Sequence, residues 1–288
     1  MKHQRVTAFF ALWLFSILIA APAFAGNDVE DQLKSDYLGK VLTLRHFYKG
    51  DILRFQFDGA LVGVAEVGPW TVDGQVFVKS IEVRGRALHI LGRRVCLVFD
   101  TKAKPYRDVL ESLAESSAKD KDKLAEAFQK KTVEIQIDLA SEHPDLNAAR
   151  SAMNAVFLEP TQSIREIVPD FWRDYFDEID GQPRSVRHST EPVYFVKPGE
   201  ISPPRQTYAT NPGFSEDARR AKYQGTMMVS LVVDASGSAR DVAITSPLGL
   251  GLDENAVESV STWKFEPARK NGEPVAVKIE VEVDFHLY

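Results

Sequence analysis

The most informative stretch of this sequence reads Val275-Ala276-Val277-Lys278-Ile279-Glu280-Val281-Glu282-Val283-Asp284-Phe285-His286-Leu287. Its odd positions are β-branched, aromatic or leucine, whereas its even positions are mostly charged. Strict alternation over such a length predicts a half-buried β-strand whose odd positions face a core. We expect this strand to be an edge strand, or the seam at which another strand pairs.

A predicted hairpin precedes this strand. Residues 225–233 form a strand by composition, and the turn residues Asp234 and Gly237 lead into a second strand over 240–246. Glycine supplies the positive φ that a tight turn between antiparallel strands needs. Together with 275–287, these strands predict a three-stranded antiparallel sheet.

Two short helices are predicted beside that sheet. One is an amphipathic segment over 215–223, and the other begins at Asp253, a predicted N-cap, and ends before Pro267. Apolar residues recur at helical spacing in the second helix: Ala256, Val257, Val260 and Trp263. Because so small a sheet needs a cover, we expect a helix on one of its faces.

A series of residues in this region forms a recognisable pattern: Ala218-Arg219, Gly225, Val233-Asp234, Gly237, Ser246, Leu252-Asp253, Ala256, Trp263-Lys264-Phe265-Glu266-Pro267-Ala268, Asn271-Gly272, Pro274 and Val283-Asp284-Phe285-His286-Leu287. With this pattern, the region resembles the carboxyl-terminal domain of TonB-type energy transducers. The family's usual Tyr-Pro ahead of the first helix is Tyr208-Ala209 here. The resemblance covers residues 205–288.

The resemblance implies a binding module rather than an enzyme. In the family, the last strand pairs with a short extended segment, the TonB box, of a TonB-dependent outer-membrane transporter, which is a case of β-augmentation. The positions that match the binding strand are Val275, Val277, Lys278, Ile279, Glu280, Val281, Glu282, Val283 and Phe285. The alternative is that this edge only closes a small sheet, and that its charges protect it from aggregation.

The amino-terminal segment predicts export. Lys2 and Arg5 precede an uncharged run over 6–25, and Ala23-Phe24-Ala25 forms an A-x-A cleavage site before Gly26. We therefore predict a signal peptide over 1–25, cut between Ala25 and Gly26, and a periplasmic protein. The alternative is an uncleaved inner-membrane anchor over 6–25, which would add the inner-membrane energising complex as a partner.

Composition excludes several function classes. A net charge of −6 argues against a nucleic-acid partner. The six histidines and the single cysteine, Cys96, show no metal-binding spacing, so we predict no metal, no cofactor and no catalytic residue. Cys96 lies in an apolar run and is predicted to be a buried thiol.

The region 26–180 predicts a strand-rich α+β domain. Strands are expected at 41–48, 52–57, 76–83, 87–91, 95–99 and 132–139, and helices at 106–131 and 145–157. Turn signals such as Asp58-Gly59 favour a meander or a small, partly closed barrel.

Two residue groups in this domain, and the segment after it, complete the predictions. Arg84, Arg86, Arg93 and Arg94 are expected in solvated turns, and the alternative is that they face an anionic glycan or lipid surface. The aromatic residues Phe171, Trp172, Tyr175 and Phe176 are expected to pack through one helix face, and the alternative is a partner-binding patch. Residues 181–204 are rich in proline and predict an extended linker to the domain at 205–288.

Three functional hypotheses follow. The first is an exported TonB-like protein that binds a transporter segment by strand addition, in TonB-dependent transmembrane transport. The second is a structural envelope module that uses the same fold for packing or for dimerisation, so a homodimer stays open. The third is an exported enzyme with a TonB-like recognition tail.

Overall fold

The computed structural model describes residues 26–100, 105–181 and 191–287, and its architecture is α+β, as predicted. The predicted signal peptide, with its cleavage site after Ala25, lies outside the described residues, as do residues 182–190 of the predicted linker. Among the helices in the described ranges, none is long and apolar enough to cross a bilayer.

The first part of the chain, up to residue 181, is built around a mixed sheet. Its elements are α1 (Gly26–Tyr37), β1 (Val41–Thr43), β2 (Ile52–Phe55), α2 (Trp70–Asp73), β3 (Gln75–Arg84), β4 (Ala87–Val95), β5 (Leu97–Val98), β6 (Arg107–Asp108), α3 (Val109–Glu115), α4 (Lys121–Gln129), β7 (Thr132–Asp138), α5 (Leu146–Val156), a 3₁₀ turn (Ile164–Glu166) and α6 (Asp170–Ile179). Residues of α1 and α5 pack on this sheet, where Leu33 and Met153 join Ile90 and Ile135 in one buried cluster.

The predicted meander or barrel is wrong. The strand order in the sheet is β1-β3-β4-β7-β2, with β2 parallel to β7 and the other neighbours antiparallel. The sheet is therefore open, with β1 and β2 at opposite edges. Alternation identifies a strand but not its neighbours, and a parallel pair joins segments that are distant along the chain.

The helix predicted over 106–131 is also wrong as one element. The chain forms the short strand β6 and then two helices, α3 and α4, separated by residues 116–120. Asp108 caps α3 by accepting a hydrogen bond from the backbone nitrogen of Leu110, and Ser116 ends the helix in an extended conformation. In contrast, the helix over 145–157 is confirmed, with Asp145 as its cap.

Arg93 and Arg94 are buried, which contradicts their predicted place in solvated turns. Because β4 continues to Val95 instead of ending near 91, both guanidinium groups lie inside the protein. Arg93 pairs with Asp108 at 2.7 Å, and Arg94 donates to backbone carbonyl oxygens, including that of Tyr48 at 2.8 Å. Arg84 and Arg86 are exposed, as expected.

The second part of the chain contains a small antiparallel sheet and two helices. Its elements are β8 (Val193–Phe195), β9 (Arg205–Tyr208), α7 (Glu216–Ala221), β10 (Gly225–Val233), β11 (Ala239–Ser246), α8 (Leu252–Ser261), β12 (Lys264–Glu266), β13 (Ala268–Lys270) and β14 (Glu273–Phe285). The order β11-β10-β14-β13 confirms the predicted three antiparallel strands and adds β13, and β8 pairs in parallel with β14 as the fifth strand. The predicted hairpin is β10 and β11.

Asp253 is not the N-cap of α8, as the sequence had suggested. Gly251 occupies that position with a φ of 75°, and Asp253 lies inside the first helical turn. Its carboxylate accepts hydrogen bonds from the backbone nitrogens of Leu248 at 2.8 Å and Gly249 at 2.7 Å. The side chain therefore organises the loop before the helix instead of capping the helix itself.

One hydrophobic core joins the two parts of the chain. Trp70, Val98 and Trp172 from the first part belong to the same buried cluster as Val229 and Val257 from the second. The helix α6 packs against β11, which confirms the prediction that its aromatic face packs inward. In the described part of the predicted linker, β8 pairs in parallel with β14, so this segment belongs to the sheet.

Candidate peptide-binding edge

The strand β14 has the predicted two-faced character. Val277, Val283 and Phe285 are buried, and Ile279 and Val281 are half-buried against the same cluster. Along one edge of β14, residues 277–285 pair without interruption with the whole of β10. The strand is thus held rigidly along one edge.

The other edge of β14 is divided into three sections. Residues 273–275 pair with β13, and residues 276–278 pair with β8. No strand of the described chain pairs with this edge from Ile279 to Phe285. At a rise of about 3.4 Å per residue, this open section is about 20 Å long, enough for a short added strand.

The predicted site residues fall into two groups on this edge. Val277 and Lys278 lie between β10 and β8, and Val275 pairs with β13, so these three already have a partner of the same chain at this edge. The open section contains the other six: Ile279, Glu280, Val281, Glu282, Val283 and Phe285. The sequence pattern could not separate these groups, because it contains no information on where β8 and β13 pair.

Charge on the outer face of β14 is negative along the open section. Glu280 and Glu282 are exposed, and neither forms an ion pair with a described residue. Asp284 accepts a hydrogen bond from the Thr226 hydroxyl at 2.5 Å. The one basic residue of this row, Lys278, lies at its start, with its Nζ atom 3.9 Å from an Asp174 carboxylate oxygen on α6.

Contacts of Tyr194, and of Glu191 just before the strand, hold β8 in place. Tyr194 packs against the shared core, and the Lys270 Nζ atom lies 4.3 Å from the centre of its ring. Glu191, just before β8, pairs with Arg240 of β11 at 2.7 Å. Phe195 points to the face opposite Tyr194, lies beside Lys278 and is 71% exposed.

Two adjacent acidic residues of α8 hold the loop before this helix and the contact with α6, and the sequence did not reveal these roles. Burial raises the pKa of Asp253 to about 6. Burial, and then the nearby Asp253 carboxylate, raise the pKa of Glu254 to about 8. Glu254 accepts a hydrogen bond from the Trp172 indole nitrogen at 3.1 Å. This contact links α8 to α6, so Glu254 is part of the junction between the two parts of the chain.

The thiol of Cys96 is buried, and the cleft between the two parts of the chain contains paired charges. In the part of the chain that the structure describes, no three His, Cys, Asp or Glu side chains are grouped as a metal ion would require. Burial raises the pKa of the Cys96 thiol to about 12. A cleft of about 790 Å³ lies between the two parts of the chain. Ion pairs line it, such as Lys131 with Asp217 at 2.6 Å.

Comparison with known proteins assigns the region that contains this edge. Residues 210–287 match the family model for the Gram-negative bacterial TonB protein C-terminal. Protein TonB of Vibrio cholerae is 31% identical over 100 residues, which cover 34% of this chain and 39% of that protein. Protein TonB of Xanthomonas campestris pv. campestris is 32% identical over 77 residues, which cover 26% of this chain and 34% of that protein.

A solved structure, the solution NMR structure of the Pseudomonas aeruginosa TonB CTD, aligns with 34% of this chain and 96% of that chain. Its sequence identity is 17% and its TM-score is 0.26. The matched part of this chain spans about two fifths or less of the length of the curated relatives.

Proposed function

Since residues 210–287 form a TonB-type C-terminal domain, we propose that this protein binds an extended segment of a TonB-dependent outer-membrane transporter. The segment would add as a strand to the open section of β14, Ile279 to Phe285, in TonB-dependent transport. The observation that carries the proposal is this open edge, within a domain of that family, on residues whose other edge is fully paired with β10.

The physical basis is β-augmentation. Unpaired backbone N–H and C=O groups of an edge strand form hydrogen bonds with any strand that aligns beside them, and the side chains set the register. The nine paired positions between β10 and β14 hold the edge in its binding conformation beforehand. Preorganisation of this kind lowers the entropy cost of binding.

The proposal places the protein in the periplasm, after removal of residues 1–25. Intact mass of the protein from fractionated cells tests this location. A mass that begins at Gly26, in the periplasmic fraction, is the expected result. A retained amino terminus in the inner membrane would contradict cleavage and favour an anchored energy transducer.

Residue-resolved NMR tests the binding itself. The chain from Gly26 onward is titrated with TonB-box peptides taken from transporters of the same organism, because the shared core argues against cutting out residues 205–288 alone. We expect amide shifts to concentrate in Ile279 to Phe285 and in the neighbouring β8. An absence of shifts at millimolar peptide would refute strand addition.

A second function, a structural envelope module, is supported by one observation. The shared core buries Trp172 of α6 and Val229 of β10 in a single cluster, so the TonB-type domain already packs against the rest of the chain. In that case the domain serves internal packing, and its edge needs no transporter. The NMR titration separates the two functions, because only the first requires shifts at the edge.

A further inference from the structure

We infer that the partner strand alternates basic and apolar residues and is anchored against Phe195, at the point where β8 ends and the open section of β14 begins. This inference rests on the proposed strand addition and specifies its partner. It is carried by three features of the described residues: the place where β8 stops, the exposure of Phe195 and the unpaired carboxylates that follow.

The strand β8 defines where a partner can begin. It pairs with β14 only from Ala276 to Lys278, and its last residue, Phe195, lies beside Lys278. The chain then leaves the edge through a turn in which Lys197 pairs with Ile201. A partner strand on Ile279 to Phe285 would therefore lie in line with β8, in contact with its end.

Phe195 is placed to meet such a strand. Successive side chains of a strand point to opposite faces, and Tyr194 packs against the core, so Phe195 points to the outer face. Its 71% exposure exceeds that of Phe57 and Tyr208, at 53% and 54%. A single exposed aromatic is ordinary on a protein surface, but one at the end of an open edge offers an anchor of the kind that dominates binding energy.

The carboxylates of Glu280 and Glu282 determine where basic residues fit on the partner strand. Glu280 and Glu282 share the outer face with Phe195, and neither has an ion-pair partner among the described residues. On an added strand, the residues beside these two positions are also two apart and point to the same face. Lysine or arginine fits there, whereas the residues between them lie beside Val281 and its half-buried neighbours and are best apolar.

The charge of the partner is tested with three synthetic eight-residue peptides and the chain from Gly26 onward. One peptide alternates valine with lysine, one valine with glutamate, and one valine with threonine. We expect the lysine peptide to bind most tightly and the glutamate peptide least, with the difference shrinking at high salt. Glu280→Gln with Glu282→Gln should weaken the lysine peptide by about two- to fivefold per carboxylate. The matched control is Glu273→Gln, on the same strand but beside β13.

The anchor is tested with Phe195→Ala, and Tyr208→Ala is the control, an exposed aromatic on a strand paired elsewhere. We expect Phe195→Ala to weaken every peptide that binds, by fivefold or more, and Tyr208→Ala to have no effect. Tighter binding by Phe195→Ala would overturn the inference, because β8 would then compete with the partner. Equal binding of the three peptides at the edge would overturn the charge preference alone, and an edge that binds none of them would overturn strand addition as well.

Discussion

Replacement of Trp172 by alanine should destabilise the whole protein, because this side chain lies at the centre of the junction between its two parts. Trp172 is fully buried, with its ring centre 5.3 Å from that of Trp70 and 5.7 Å from that of Phe99. Truncation of a buried Trp to Ala costs about 3–5 kcal/mol. That is a large share of the roughly 5–15 kcal/mol by which a folded protein is stable.

A milder replacement isolates the polar contact of the same side chain. Trp172→Phe keeps most of the ring volume but removes the indole N–H that binds Glu254. A buried acceptor left without its donor costs about 1–3 kcal/mol, and because Glu254 is only partly buried we expect a loss near the lower end of that range. Ile179→Ala, at a 43% exposed position of the same helix, is the control and should cost well under 1 kcal/mol.

Urea unfolding, followed by tryptophan fluorescence and by far-UV circular dichroism, measures these losses. If the core is shared, both signals should change in one transition that moves to lower urea in Trp172→Ala. The reasoning would be refuted by two separate transitions of which only one moves. A loss below about 1 kcal/mol for Trp172→Ala would refute it as well, since a truly buried tryptophan cannot be removed at that cost.

Three further predictions concern pH, the edge and a tight turn. The raised pKa of Glu254, about 8, means that the folded protein binds a proton that the unfolded chain loses near pH 4.5. Stability should therefore fall as pH rises from about 5 to 9, and Glu254→Gln should flatten this slope in thermal melts at several pH values. Val281 and Glu282 are neighbours on β14, so proline at one of them removes an N–H from the open edge and proline at the other removes an N–H from the β10 ladder. Of Val281→Pro and Glu282→Pro, we therefore expect one variant that stays folded by circular dichroism and no longer binds peptide. Unfolding of both proline variants would contradict this prediction, and so would two folded variants that both bind peptide. Gly249→Ala should lower the melting temperature, because φ is 97° and an added Cβ would lie 2.2 Å from the Leu97 carbonyl oxygen.

Alternation and turn chemistry were sufficient to predict three of the five strands of the second sheet. The strands β10, β11 and β14 and the hairpin turn at Asp234 to Gly237 follow from local patterns, and so does the family resemblance of this region. These features depend on residues close together in sequence. Local physical chemistry therefore decides them: periodic burial, and the positive φ at Gly237.

Predictions that needed the length of an element, or its neighbour, were less successful. The burial of Arg93 and Arg94 depends on β4 continuing past residue 91, and the order of the first sheet depends on β2 reaching β7. Asp253 was expected to cap α8, yet it binds the loop nitrogens of Leu248 and Gly249. A carboxylate accepts a hydrogen bond from whichever donors the fold brings to it, and a local pattern does not show which these are.

The same division holds for the candidate site. The alternation from Val275 to Leu287 establishes from the sequence alone that β14 is two-faced, and its motifs establish the TonB-type domain. Tertiary pairing alone established that the open edge is Ile279 to Phe285, that Phe195 lies at its start, and that Glu254 meets Trp172. The pairing of Phe195 with Lys278 and the hydrogen bond of Trp172 with Glu254 each join residues about 80 positions apart, where chain topology and packing, not local propensity, set the distance.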